Sequence, residues 1–321
     1  MKKLLFRGEE FDPNFKYFSG VDIDHSFYIE EAKERILLTS RMNSAIAKES
    51  FEGKVIEYQK PFEELSKIIA KGEEVHSDLS AISANLYKKI EKETGAKLVD
   101  ASEEFLKKRS VKREDEVSKT KKAVKITKEI FESLDFKTAK TEEDLIKQIK
   151  IHTAQRGLDS AFEPIVGSGA NSSFPHYHGK EGKIWESGFV LIDYGVKYEG
   201  YCADLTRCFI IKPNKKLEKE YEKLKGVFDS IIDKIPNFEI GSEIGKCAEE
   251  EIKKAGFPQL IHSIGHGVGL QVHEYPSLGL KSDHKIKNTL MAIEPAFYYA
   301  GKYGMRYEET TFFDGKKIRV L

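Results

Sequence analysis

Four acidic residues interrupt apolar, strand-forming runs in this 321-residue chain, and a carboxylate in that setting needs a chemical reason. Asp193 ends Phe189-Val190-Leu191-Ile192, and Asp204 lies in Cys202-Ala203-Asp204-Leu205-Thr206-Arg207-Cys208-Phe209. Glu294 follows Leu290-Met291-Ala292-Ile293 and precedes Pro295. Glu308 lies in the aromatic-rich run Tyr303-Gly304-Met305-Arg306-Tyr307-Glu308. An unpaired buried charge is very costly. The two aspartates flank Tyr198-Glu199-Gly200, so their strands read as an antiparallel hairpin. With the turn centred on Tyr198 and Glu199, Asp193 stands directly opposite Asp204, their Cβ atoms about 4.5 to 5.5 Å apart. Carboxylates that close repel each other, and a divalent cation compensates best. Blander explanations stay open at this point. Arg207 could neutralise either aspartate, although alternation puts it on the opposite face from Asp204. Either glutamate could face water from an edge strand.

Three of the nine histidines, His262, His266 and His273, fall between Ile261 and Pro276. His266 has glycine on both sides, which lets a backbone or ligand approach closely. One imidazole with four carboxylates is a hard, oxygen-rich donor set. It suits Mn, Co, Fe or Zn rather than a structural thiolate zinc. Five donors exceed the need of one open catalytic ion, and bridging carboxylates would serve a two-metal centre.

The elements that must position these residues read as α+β. Residues 1–110 form a smaller α/β domain with strands at the N-terminal run, at Phe15–Phe18, at Ser26–Ile29 and at Arg35–Leu38. Helical spacing recurs in Glu63–Ile69 and Leu86–Ile90. No cluster of His, Asp or Glu in this domain looks like a site. Residues 111–321 form the larger domain. It opens on a long charged helix with a stripe of Val117, Val124 and Phe131, beside Ala123 and Ile130. Thr141-Glu142-Glu143-Asp144 reads as a capping box for a second helix. A third helix carries Leu217, Tyr221, Leu224, Phe228, Ile231 and Ile235, and a fourth runs from Ser242 to Gly256. Between them lie strands at 188–195, 202–211, 290–298 and 302–313.

Composition excludes several function classes. Lys+Arg and Asp+Glu are both 53, so there is no chain-wide basic footprint for nucleic acid or an anionic membrane. No window approaches the roughly 18 to 20 unbroken apolar residues of a membrane span. Three cysteines, Cys202, Cys208 and Cys247, make no disulfide framework, and a cytoplasmic location is the default.

The order D-x10-D, then H, then E-P, then G-x-R-x-E-E resembles the M24-type metallopeptidases with the pita-bread fold, which include prolidase, aminopeptidase P and methionine aminopeptidase. The resemblance spans the whole chain. It implies a creatinase-type N-terminal domain followed by a pita-bread catalytic domain. It also implies two divalent ions per chain, Mn or Co foremost and otherwise Zn or Fe, on Asp193, Asp204, His266, Glu294 and Glu308. Asp204 and Glu308 would bridge the two metals, and a shared water or hydroxide would be the nucleophile. Glu294 would double as the proton-transfer group. By position, His176 and His273 match histidines that contact substrate near the scissile bond. His262 matches one that lines the proline subsite, and Arg306 matches an arginine that orients carboxylates. The implied substrate is a small peptide with proline second, and the implied assembly is a homodimer through the N-terminal domain.

The chain departs from the family pattern at two places. Ser277 follows His273-Glu274-Tyr275-Pro276 where many compact prolidases have a carboxylate-binding arginine, a part that Lys281 or Lys285 could take. Cys208 replaces a threonine in the run after Asp204. The leading expectation is a peptidase cleaving X-Pro dipeptides. The alternatives are an aminopeptidase P acting on X-Pro-Y peptides, or a non-catalytic binding protein on the same fold.

Overall fold

The computed structural model describes residues 2–179 and 181–321. The chain divides into two compact units, Met1–Arg109 and Ser110–Leu321.

The smaller unit is built on a six-stranded sheet. Its order is Lys54–Tyr58, Glu34–Ser40, Ser26–Glu31, Lys2–Arg7, Glu74–Ser77, Lys97–Asp100. Both faces are covered. Leu4, Phe27, Ile29 and Leu38 point to one apolar core, and Leu5, Tyr28 and Leu37 to the other, the period-two division of a doubly buried sheet. The expected strand at Phe15–Phe18 is instead part of the helix Pro13–Ser19. Asp12 caps it through the Phe15 N–H, Pro13 pre-sets its first turn, and Gly20, at φ 82°, ends it. These end signals outweigh the strand preference of its aromatic residues, which is context-dependent.

In the larger unit every described strand pair is antiparallel. The strand Phe189–Tyr194 lies between Ile165–Ser168 and Leu205–Ile210 and is buried along its whole length. Val190, Ile192 and Tyr194 pack with Ala123, Val124, Ile130 and Phe131 of helix Glu114–Glu132, and with Leu145 and Ile149 of helix Glu142–Gln155. Phe189 and Leu191 face the other way. They pack with Leu217, Leu224, Phe228 and Ile231 of helix Lys215–Lys234, and with Ile244 and Ala248 of helix Gly241–Lys254. Thr141 and Asp144 do form a capping box.

A second sheet runs in the order Glu274–Ser277, Gly265–Gly267, Thr289–Ile293, Glu309–Phe313, Ile318–Val320. Beside it stands the hairpin Ala296–Tyr299 with Tyr303–Arg306. The two long strands expected at 290–298 and 302–313 are therefore each broken in two. One break falls at Glu294-Pro295, because proline has no N–H for a ladder. The other falls at Tyr307-Glu308, where the backbone turns to new partners. Tyr307 N–H donates to the Pro295 carbonyl, and Glu308 N–H to the Thr206 carbonyl. Among the described residues, no helix is long and apolar enough to cross a membrane.

Candidate metal centre

The hairpin that carries the aspartates turns one residue later than its spacing suggested. Tyr198 pairs with Tyr201 and Lys197 with Cys202, so the turn is Glu199-Gly200. Both have positive φ, 48° and 86°, as a type I′ turn requires. Asp193 consequently pairs with Thr206, and the expected direct opposition to Asp204 does not occur. Asp204 lies two residues before Thr206, on the same face and diagonal to Asp193. Gly195 makes the close crossing feasible, because a Cβ there would collide with the Ala203 carbonyl oxygen.

The diagonal still brings the carboxylates together. Asp193, Asp204 and Glu308 offer ligand atoms within 4.8 Å of one another, as do His266, Glu294 and Glu308, and as do Asp204, His266 and His273. Asp204, His266 and Glu308 each belong to two of these groups, and of the three only the carboxylates, with two oxygens each, are able to bridge a pair of ions. Only Asp193 lies within a strand. Asp204, Glu294 and Glu308 stand at junctions between strands, where the bent backbone aims them inward.

The electrostatics of this cluster suit cations. Burial, then Glu308, Asp193 and Glu294, raise the Asp204 carboxyl well above its ordinary range. Burial and Glu308 do the same to Glu294, and burial with Asp193 pushes Glu308 up to about 7. Asp193 Oδ1 is buried with no hydrogen-bond partner among the described residues. Burial and the His273 ring, whose centroid is 4.1 Å away, lower His266 to about 3 and keep it neutral. Its Nδ1 is 3.1 Å from the Gly267 carbonyl oxygen. A proton held there leaves Nε2 as a lone pair, 3.5 Å from Asp204 Oδ2 and 3.9 Å from Glu294 Oε1. Crowded acids, an orphaned oxygen and a neutral imidazole together fit a pair of divalent ions.

Arg306 ties the cluster together. Nη2 donates to Asp193 Oδ2 at 2.6 Å, Nε to Thr206 Oγ1 at 2.9 Å and Nη1 to Tyr298 OH at 2.9 Å. Thr206 Oγ1 in turn donates to Glu308 Oε2 at 2.6 Å. Tyr298 OH also meets His262 Nε2 at 3.0 Å. Burial lowers His262 to about 4, and its Nδ1 is 3.7 Å from Glu294 Oε2. Thr206 and Tyr298 escaped the sequence reading. Thr206 was accessible to it, since it shares a strand face with Asp204.

All nine candidate residues line one cavity of about 280 Å³: His176, Asp193, Asp204, His262, His266, His273, Glu294, Arg306 and Glu308. Arg207 is not the counter-ion of either aspartate. It pairs with Glu309 and donates to the Glu308 carbonyl at 2.7 Å. Ser277 lines the cavity, whereas Lys281 and Lys285 do not. Cys208 is a small buried residue whose Sγ lies 3.6 Å from the Arg306 carbonyl oxygen.

Residues 118–313 match the model of metallopeptidase family M24, and residues 4–111 match that of the creatinase/prolidase N-terminal domain. An uncharacterized peptidase of Methanocaldococcus jannaschii is 30% identical over 96% of this chain and 87% of its own. The Xaa-Pro dipeptidase of Pyrococcus furiosus is 27% identical over 92% of this chain and 87% of its own. The crystal structure of an X-Pro aminopeptidase from Thermotoga maritima superposes with a TM-score of 0.88 at 25% identity. That match covers 99% of this chain and 94% of the other.

Proposed function

Because this chain belongs to metallopeptidase family M24, we propose that it hydrolyses the bond between an N-terminal residue and proline in small peptides. Two divalent cations, Mn or Co foremost, would be held by Asp193, Asp204, His266, Glu294 and Glu308. The observation that carries this reading is that the three ligand groups overlap pairwise, through Asp204, His266 and Glu308. Such cations, when bound, bring the pKa of a coordinated water toward about 7 and polarise a carbonyl.

The chain's own residues do the rest. Glu294 lines the cavity with its Oε2 3.7 Å from His262 Nδ1, where a carboxylate can pass a proton on to the leaving nitrogen. His176 and His273 line the cavity where a developing oxyanion needs donors. Arg306 fixes Asp193 by a 2.6 Å hydrogen bond. An X-Pro bond has no amide N–H for an enzyme to grip, so recognition falls to shape, and His262, braced by Tyr298, is the wall that the ring would meet.

One observation favours peptides longer than the dipeptide. Among the described residues, no lysine or arginine lines the cavity except Arg306, which is committed to Asp193, Thr206 and Tyr298. None of those residues is left as a cationic partner for a free proline carboxylate. The test is hydrolysis by Mn- or Co-loaded enzyme of Leu-Pro and Met-Pro against Leu-Pro-Ala, with metal analysis of the same sample. Cleavage of the X-Pro bond and two ions per chain are expected. Failure to cleave any of the three would overturn the reading.

A further inference from the structure

A second cavity, of about 200 Å³, abuts the first, and the two share His262 and Ser263 as a common wall. Past that partition the lining is apolar, with Leu260, Ile264 and Leu278. Two large apolar side chains, Ile261 and Leu280, lie exposed at its rim. Its acidic group is Glu249, whose Oε1 is 3.5 Å from Gln259 Nε2, and among the described residues no lysine or arginine lines it.

We propose that this cavity is a subsite for the residue that follows proline, so that the enzyme takes X-Pro-Y peptides in which Y is apolar or basic. The inference rests on the X-Pro reading above. In that reading the proline ring meets His262, so the residue after proline lies past that side chain. The second cavity begins on the far side of the His262 and Ser263 wall that bounds the first. The first cavity alone is small for a ligand site. With the second it enters the range of about 300 to 1,000 Å³ usual for bound ligands. The walls then select among chains that reach them. A leucine at Y buries apolar surface against Ile261, Leu278 and Leu280, and a lysine reaches Glu249. A glutamate meets an acid and no cation.

Steady-state kinetics of the Mn-loaded enzyme on Ala-Pro, Ala-Pro-Leu, Ala-Pro-Lys and Ala-Pro-Glu tests this. The expected kcat/KM for the Leu and Lys tripeptides exceeds that for the Glu tripeptide by about tenfold, the scale of one side-chain contact in a pocket. Leu280→Glu should lower the Leu-to-Glu ratio, and Glu249→Lys should invert the Lys-to-Glu ratio. Equal rates for the three tripeptides, refusal of all three, or variants that leave the Leu-to-Glu and Lys-to-Glu ratios unchanged would overturn the subsite. If Ala-Pro is cleaved in that event, the X-Pro reading survives without it. If neither Ala-Pro nor any tripeptide is cleaved, that reading falls, and the subsite with it.

Discussion

Glu308 shows in one residue what the cluster asks of a cation. Burial and Asp193 push its carboxyl from 4.5 to about 7, and Asp204 and Glu294 are shifted in the same direction. The sign for the metal-free protein follows. A folded pKa raised above the unfolded one gives stability that is complete below about 4.5 and is lost as pH rises through about 7. Bound cations reverse this, because they favour the ionised form and displace the proton. His266, at about 3, is already neutral across that window and adds no proton competition. Metal uptake should therefore release protons and strengthen with pH. The rise in Tm on adding Mn is expected to be larger at about pH 8 than at about pH 5.5. A scanning-calorimetry series at both values checks it, and a larger rise at the acidic value would contradict the assignment of these acids.

At the scale of elements, the aspartate pairing was misjudged by two residues and the shared face was still right. A one-residue slip of register turns every side chain to the other face, whereas a two-residue slip keeps the face and changes only the partner. The sequence could therefore bring Asp193 and Asp204 together while naming the wrong opposite residue. The strand break at Pro295 follows from a proline plain in the sequence, whereas the one at Glu308 was less legible, since it comes from new backbone partners. Another element-level device lies at the start of helix Glu142–Gln155. Glu142 is fully buried, and its Oε1 accepts from Ser168 N–H, Ser168 Oγ and Asn171 Nδ2 at 2.6, 2.9 and 3.0 Å. Its Oε2 accepts from Gly182 N–H at 2.9 Å. The carboxylate thus clasps both ends of the segment that carries His176. Glu142→Ala would strand the two buried Ser168 donors, at about 1–3 kcal/mol each in desolvation, and let the segment drift. The expected result is a fall in kcat of about tenfold or more, since misplacement by about 1 Å can cost 100-fold, with metal content unchanged. Loss of metal in parallel would instead make Glu142 a support of the ligands themselves.

At the scale of the whole molecule, the α+β pattern was legible because each helix and strand carries its own period. Long-range closure was not, because a buried ion pair leaves no local trace in a chain with 53 basic and 53 acidic residues. Lys112 Nζ meets Glu274 Oε2 at 2.7 Å, with side chains 1% and 2% exposed. The Lys112 N–H also donates to the Asn288 carbonyl. Glu274 Oε1 accepts from Gln271 N–H at 3.0 Å, and Gly269 lets the pair pack, since a Cβ there would stand 2.6 Å from the carboxylate. The start of the larger unit is thereby fastened to the loop between His266 and Pro276, next to His273. Removing one member of a buried pair leaves an uncompensated charge and costs about 3–5 kcal/mol, whereas an apolar replacement of both can be neutral. Lys112→Met should therefore lower the unfolding free energy in urea by about that amount, and Lys112→Met with Glu274→Leu should recover most of it. Additive losses in the double variant would show that the two charges act separately. Recovery of stability without recovery of kcat would show that the pair also holds His273 where the chemistry needs it.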